Sequence, residues 1–262
     1  MIYKKTCVLL LALFSVGAYA QCDDTNFAAW DTFREDVPGM VESTSPGIEG
    51  DCKAEFKVGN AASDKGLLRD ASPTCESSFK QKMILNVDAF SNMGFAQRQK
   101  IHNAQCVTNA HPGSPDCGKV GVVQFRLQGN KVGASDFDPV LFPKLIRSYA
   151  ADDGPLGGGV LNERYFDIPV SDSAGDMQIE YHWTRSTAPG VQDGTFKLWF
   201  DGNTDVNSPD VNFTDLDNHN YCIDRVTLGI IEQNDRVINN QAGNPIIFDS
   251  YESRRQTNII VQ

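Results

Sequence analysis

The segment Met177-Gln178-Ile179-Glu180-Tyr181-His182-Trp183-Thr184 decides the fold. Apolar and polar side chains alternate along it, and a period of two is that of a β-strand with one buried face. The same alternation recurs in residues 83–87, 123–127, 196–200, 226–230 and 246–248. Gly, Pro, Asn and Asp clusters separate these stretches, so the sequence predicts an all-β sandwich.

Residues 141–149 leave their secondary structure open. Their apolar spacing suits a helix with Pro143 in the first turn. It also suits an extended strand that is broken at Pro143.

The N-terminus has the features of an export signal. Lys4 and Lys5 precede an apolar run over residues 7–16, and Ala18-Tyr19-Ala20 is a small-residue cleavage site. We therefore expect residues 1–20 to be a signal peptide and residues 21–262 to be a single domain that is secreted, to the extracellular space or the periplasm. No later run is apolar enough to predict a membrane span.

Six cysteines follow the predicted signal peptide: Cys22, Cys52, Cys75, Cys106, Cys117 and Cys222. An even number in an exported chain predicts three disulfides. The expected pairs are Cys106–Cys117, Cys52–Cys75 and Cys22–Cys222. Their spacing contains no C-x-x-C pair, which argues against zinc.

Charge and motifs narrow the function. Acidic residues outnumber basic ones by 34 to 23, for a net charge of −11, which argues against nucleic acid or an anionic membrane as partner. The motifs H-E-x-x-H, G-x-S-x-G and the P-loop are absent. Whether the protein is an enzyme stays open; if it is one, a polysaccharide lyase or a glycosidase is expected.

The polar positions of the predicted strands suggest a sugar-binding face. Where Phe196, Leu198 and Phe200 point to the core, Trp199 points away from it. An aromatic ring among amide, carboxylate and guanidinium groups suits a sugar. The residues predicted to line one concave sheet face are Trp199, Lys197, Asp201, Arg126, Gln124, Glu180 and His182. The alternative is an ordinary solvated face with Trp199 covered by a loop.

Two further candidates concern catalysis and metal binding. His102, in a predicted strand, has the chemistry of a general base near neutral pH; the alternative is a structural histidine. The acidic segment 201–218 offers hard oxygen ligands, and Asp215 and Asp217 are the candidate ligands of a Ca²⁺ ion. The alternative there is a solvated loop.

The C-terminal half carries a resemblance. It contains Gly194-Thr195-Phe196-Lys197-Leu198-Trp199-Phe200-Asp201-Gly202, then Ile223-Asp224-Arg225-Val226-Thr227-Leu228-Gly229, then Ile247-Phe248-Asp249-Ser250-Tyr251. These strings resemble the closing strands of concanavalin A-like (laminin G-like) jelly rolls. The resemblance implies a two-sheet antiparallel jelly roll, here stabilised by disulfides. The superfamily includes lectins, glycosidases, lyases and adhesive modules.

One branch of that superfamily, the jelly-roll polysaccharide lyases, has a Q-I-H strand. Lys100-Ile101-His102 is similar to it, with lysine in place of glutamine. The resemblance implies that His102 acts as the base or the charge-neutralising group. We therefore expect a secreted carbohydrate-binding or polysaccharide-processing protein whose partner is a polysaccharide or another glycan. The alternatives are a lyase that cleaves an acidic glycan by β-elimination, and an adhesion or structural module without catalysis.

Overall fold

The computed structural model describes residues 30–45, 47, 52–90, 97–107, 117, 119–129, 144–152, 162–170 and 175–254. The expected signal peptide, residues 1–20, lies outside them. The elements are β1 (Thr32–Glu35), β2 (Val41–Thr44), β3 (Lys53–Lys57), β4 (Gly66–Asp70), β5 (Ser78–Asn86), β6 (Arg98–Val107), β7 (Lys119–Gly129), β8 (Lys144–Asp152), β9 (Asn162–Pro169), β10 (Met177–Thr184), β11 (Gly194–Phe200), β12 (Val211–Leu216), β13 (Arg225–Gln233), α1 (Asp235–Gln241) and β14 (Pro245–Arg254). Among the described residues, no helix has the length and apolar character that crossing a bilayer requires.

The strands form two antiparallel sheets of seven strands each. Sheet A has the order β1-β4-β13-β6-β7-β8-β9, and sheet B has the order β12-β11-β10-β5-β14-β3-β2. The prediction of an all-β, two-sheet antiparallel sandwich is confirmed. Residues 144–152 form strand β8 between β7 and β9, so the extended alternative for that region is the correct one.

The core lies between the sheets and is formed by alternate residues of the strands. Trp183, Tyr181 and Phe196 of sheet B are fully buried, as is Phe125 of sheet A. The rings of Phe125 and Tyr181 meet edge to face across the sandwich, with centroids 5.8 Å apart. Burying each such side chain contributes roughly 1.5–3 kcal/mol to stability. The apolar side chains at alternate positions therefore hold the two sheets together.

Two disulfides join described residues, Cys106–Cys117 and Cys75–Cys222. The first was predicted. The expected pairs Cys52–Cys75 and Cys22–Cys222 are wrong, because Glu76 and Ile223 exchange two backbone hydrogen bonds and place Cys75 beside Cys222. Cys52 is also disulfide-bonded, and Cys22 lies outside the described residues.

Candidate functional site

The register of sheet A shows which of its residues share a face. Leu68, Leu228, His102 and Phe125 are cross-strand partners on β4, β13, β6 and β7, and all four are buried in the core. Their neighbours in sequence therefore point to the opposite, outer face. Those neighbours are Arg69, Thr227, Asn103 and Gln124, which are themselves cross-strand partners. We call these four residues the polar row.

The polar row contains buried oxygen atoms that form no hydrogen bond with the described residues. Thr227 is 2% exposed and Asn103 is 4% exposed. Within the described part of the chain, Oγ1 of Thr227 and Oδ1 of Asn103 have no hydrogen-bond partner. A buried polar atom without a partner costs about 1–3 kcal/mol, and most such atoms in native proteins are paired with protein, water or a ligand. These two oxygen atoms could therefore form hydrogen bonds to a bound ligand.

Charged residues lie beside the row, towards the start of β6 and the end of β7. The Arg126 guanidinium donates to Oε1 of Gln124 at 2.9 Å. Lys100 Nζ lies 2.6 Å from Oε2 of Glu232, and the hydrogen bond from Lys100 lowers the pKa of Glu232 below its ordinary value. A cavity of about 510 Å³ opens here, lined by Arg98, Lys100, Arg126, Glu232, Gln233, Asn234 and Asp235.

An aromatic side chain lies at the far edge of the same sheet. The register runs from Gln124 through Tyr149 of β8 to Tyr165 of the edge strand β9. Tyr165 is 57% exposed. Residues that are partners in register share a face, so this ring lies on the outer face of sheet A and can offer an apolar surface for stacking.

The seven predicted binding residues do not lie together. Gln124 and Arg126 are on sheet A, whereas the other five lie on strands β10 and β11 of sheet B or just after them. There, Glu180 pairs with Trp199 and His182 with Lys197, and Asp201 follows β11. The prediction of one shared face is wrong, because alternation gives the face of a strand but does not give the sheet to which that strand belongs.

Trp199 is enclosed. Its side chain is 3% exposed, and its indole Nε1 donates to the carbonyl of Asp205 at 2.8 Å. After β11 the chain turns at Asp201 and Gly202, both of which have a positive φ. The segment 201–210 then folds back on the ring. The prediction of an exposed Trp199 is therefore wrong, because this loop covers the ring and accepts its N–H.

Glu180 and His182 pair with each other beneath the same surface. Oε1 of Glu180 lies 2.6 Å from Nε2 of His182, and the carboxylate is almost fully buried. The imidazole packs against Trp199, with ring centroids 4.7 Å apart. These contacts engage the three side chains with one another, although the second oxygen of Glu180 has no hydrogen-bond partner among the described residues.

His102 faces the core and not the outer surface. It is fully buried, and its Nε2 lies 3.1 Å from Oε1 of Gln81, which also accepts from the Tyr181 hydroxyl at 2.9 Å. Burial lowers the pKa of His102 to about 3. The structure gives no support for His102 as a catalytic base, because a substrate bound to either outer face cannot reach this ring. The burial favours the structural alternative.

The two predicted calcium ligands have different partners. Asp215 forms an ion pair with Arg164 at 3.3 Å, and Asp217 accepts a hydrogen bond from the backbone of Gly190 at 3.2 Å. Among the described residues, the groups of potential ligands that lie within 4.8 Å of one another consist of disulfide cysteines with Asp224. Asp215 and Asp217 belong to no such group among the described residues, and the bound Ca²⁺ stays a prediction.

Asn103, Thr227 and Arg69 were not predicted as site residues. The signal for two of them is present in the alternation, because Thr227 lies between Val226 and Leu228, both of which face the core. Asn103 adjoins the buried His102. Identifying the row also requires the order of the strands in sheet A, which local sequence does not contain.

Comparisons with known proteins give a fold-level likeness. No protein-family model matches the sequence, and no curated protein is similar to it. Similar solved structures include the VIP36 exoplasmic/lumenal domain in its Ca²⁺/Man3GlcNAc-bound form, at 12% identity and a TM-score of 0.47, covering 90% of this chain and 88% of that one. An endo-1,3-beta-glucanase from Streptomyces sioyaensis matches at 12% identity and a TM-score of 0.45, covering 81% and 77%.

The botulinum neurotoxin type G receptor binding domain is also similar, at 12% identity and a TM-score of 0.46. The match covers 90% of this chain and 45% of that one. At these TM-scores, none of the neighbours indicates what this chain binds or catalyses.

Proposed function

We propose that this protein is an exported glycan-binding protein that holds its ligand on the outer face of sheet A. The observation that carries the proposal is the polar row, in which Thr227 and Asn103 have buried oxygen atoms that accept no hydrogen bond from the described residues. A ligand that supplies donors to those atoms removes the cost of leaving them unpaired.

Sugars have the chemistry that this face calls for. Each hydroxyl group both donates and accepts, so it can bond to the Thr227 hydroxyl, to the amide of Asn103 or Gln124, and to the Arg69 guanidinium. The exposed ring of Tyr165 on the same face offers a surface on which the apolar side of a sugar can stack. The enclosed Trp199 of sheet B is not available for that purpose.

Export is supported by the cysteines. The disulfides Cys75–Cys222 and Cys106–Cys117 persist in oxidising compartments, and the expected signal peptide at residues 1–20 would deliver the chain there. Binding is proposed in preference to lyase chemistry, because the histidine that would serve as base is enclosed in the core.

Replacing Thr227 by valine tests the proposal with a minimal change. Thr227→Val removes one hydroxyl and keeps the shape of the side chain, and that hydroxyl makes no hydrogen bond to any described residue. We expect equal or higher stability in thermal unfolding, because no unpaired hydroxyl has to be buried, together with roughly 2- to 10-fold weaker binding to the best ligand of a glycan array.

Thr195→Val is the matched control. Thr195 lies on β11 of sheet B, in register with Thr184, and its replacement should leave glycan binding unchanged. Equal binding by wild type and Thr227→Val would remove the polar row from the site. Binding to no glycan on a broad array would leave the adhesion or structural module as the better description.

A further inference from the structure

Two arginine side chains lie next to each other at one end of the polar row. Arg69 is the cross-strand partner of Thr227, and Arg225 precedes Thr227 by two residues on β13. Residues two apart on a strand share a face, so the two arginines are diagonal neighbours on the outer face of sheet A. Such positions are about 7–8 Å apart at the backbone, within reach of long side chains.

Neither arginine forms an ion pair with an acidic residue of the described part of the chain. Both are half-buried, and the Nε atom of each is buried without a hydrogen-bond partner among the described residues. The contrast with Arg34 on the adjoining strand β1 is direct, because Arg34 donates to both carboxylate oxygens of Asp36 at 2.8 and 2.9 Å. The pair therefore places two positive charges side by side, and no ion pair with a described residue balances them.

The electrostatics agree with that geometry. Burial lowers the pKa of Arg69, and the positive charges of Arg225 and Arg34 lower it further. The guanidinium groups are thus close enough to repel each other. A bound anion would reverse this repulsion, because a planar guanidinium binds the two oxygens of a carboxylate or sulfate side by side.

We propose that Arg69 and Arg225 form an oxyanion subsite of the glycan-binding face, and that the ligand is a glycan carrying carboxylate or sulfate groups. This inference rests on the proposed function, because it assigns the chemistry of the same face. The unpaired oxygens of Thr227 and Asn103, next to the arginine pair in the row, take the neighbouring hydroxyl groups of the sugar.

The rest of the face fits an acidic ligand. Lys100, Arg126 and Arg98 line the cavity at the other side of the row, and there Lys100 is paired with Glu232. Glu232 and Asp235 line the same cavity, so its basic residues exceed its acidic ones by three to two, whereas the whole chain has a net charge of −11. Local charge of this kind attracts an anionic chain that the molecule as a whole would repel.

Calorimetry with three oligosaccharides of equal length tests the subsite: one of uronic acids, one sulfated, and the carboxyl-reduced neutral form of the first. We expect wild type to bind the acidic forms roughly 10- to 100-fold more tightly than the neutral form. Added NaCl should narrow that difference. Preference for the uronic acid or for the sulfated form identifies which oxyanion is the natural one.

Arg225→Gln and Arg69→Gln should abolish the preference for acidic ligands. The matched control is Arg164→Gln, which removes an arginine on the edge strand β9 that is already paired with Asp215, and it should retain the preference. Thermal unfolding in sodium sulfate against sodium chloride, at equal ionic strength, gives a readout that needs no glycan. Sulfate should raise the melting temperature of wild type by more than that of Arg225→Gln.

The outcomes separate the two proposals. If the neutral oligosaccharide binds as tightly as the acidic ones and Thr227→Val weakens both, the oxyanion subsite is wrong and the glycan-binding face stands. If no oligosaccharide binds but sulfate stabilises wild type selectively, the subsite stands and the proposed function is wrong. If no oligosaccharide binds and sulfate affects wild type and Arg225→Gln equally, both are wrong.

Discussion

The outer faces of the two sheets carry similar residue types but differ in how many of their buried polar groups are hydrogen-bonded. On sheet B, Trp199 donates to the carbonyl of Asp205, and Glu180 is paired with His182. On sheet A, Thr227 and Asn103 have oxygens that no described residue pairs with. The same holds for one buried oxygen of Glu180 on sheet B, so the two faces differ in degree. A polar face whose groups are satisfied by folding serves the fold, whereas a face with unsatisfied groups is better suited to a ligand.

The comparison also shows why an aromatic residue among charges is a weak indicator of a sugar site. Trp199 has the right neighbours and points away from the core, as its alternation predicts. A loop of its own hairpin nevertheless encloses it. Exposure depends on segments that return to a strand from elsewhere in the chain, and the residues of the strand do not indicate whether one does.

The largest expected effect is on stability, and it comes from His102 in the core between the two sheets. The pKa of His102 is about 3 in the folded protein, against about 6.5 in an unfolded chain. Between these pH values only the unfolded state binds the proton, so the free energy of unfolding should fall as the pH falls. We expect a loss of about 1.4 kcal/mol per pH unit, on the order of 5 kcal/mol over the whole window.

Urea unfolding of wild type and His102→Gln at pH 7, 5.5 and 4 measures this effect, since other titrating groups contribute equally to both proteins. Identical pH dependence in the two would contradict the assignment. NMR of the imidazole in folded wild type is independent of the variant's ability to fold, and it should show a neutral ring at pH 5. A ring that titrates near pH 6.5 would mean that the core is open to water.

Truncation of Trp199 should give the next largest effect. Trp199→Ala removes a buried ring and should lower the free energy of unfolding by about 3–5 kcal/mol. Folded protein at low temperature should still bind the glycan, because the ring lies on the other face. Val206→Ala in the same loop, at a side chain 56% exposed, should change stability by less than about 0.5 kcal/mol. Loss of glycan binding in folded Trp199→Ala would break the distinction between the faces.

Replacing one hydrogen-bonding side chain on each face should give a smaller difference, here in binding affinity. Gln124→Leu should weaken binding by about 1 kcal/mol, because it removes one amide from the proposed site. Lys197→Gln on sheet B should leave the dissociation constant unchanged. Titration calorimetry with the same oligosaccharide measures both, and a reversed order of the two effects would place the ligand on sheet B.

The smallest effect concerns stability without ligand. Arg225→Gln should raise the free energy of unfolding by roughly 0.2–1 kcal/mol, because it relieves the repulsion of Arg69. The gain should shrink as NaCl screens the charges. Arg164→Gln, which breaks an ion pair with Asp215, should act in the opposite direction. A loss of stability in Arg225→Gln at low salt would argue that an unrecognised contact balances its charge.

Local sequence predicts much of this fold, because a buried face repeats every second residue along each strand. The alternation of β10 identifies Ile179 and Tyr181 as core residues, and both are fully buried. Cys106 and Cys117 pair as expected from their proximity in the chain. These features depend on interactions within short segments.

The features that were not predicted depend on distant segments. Cys75 and Cys222 are 147 residues apart in sequence, and their pairing follows from a bridge between the residues next to them. The polar row requires β13 to lie between β4 and β6. Alternation in β13 places Thr227 on the outer face, but no local pattern predicts which residues of the neighbouring strands lie next to it.

The Cys75–Cys222 bridge clamps the start of β13, the strand that carries both Thr227 and Arg225. Recombinant chain made in a reducing cytoplasm would lack this clamp, and the first residues of the strand could fray. Glycan binding should therefore be assayed on material folded in an oxidising host and checked for free thiols. Failure of the reduced protein to bind glycan would reflect fraying at the start of β13. It would not show that Thr227 and Arg225 are unable to bind.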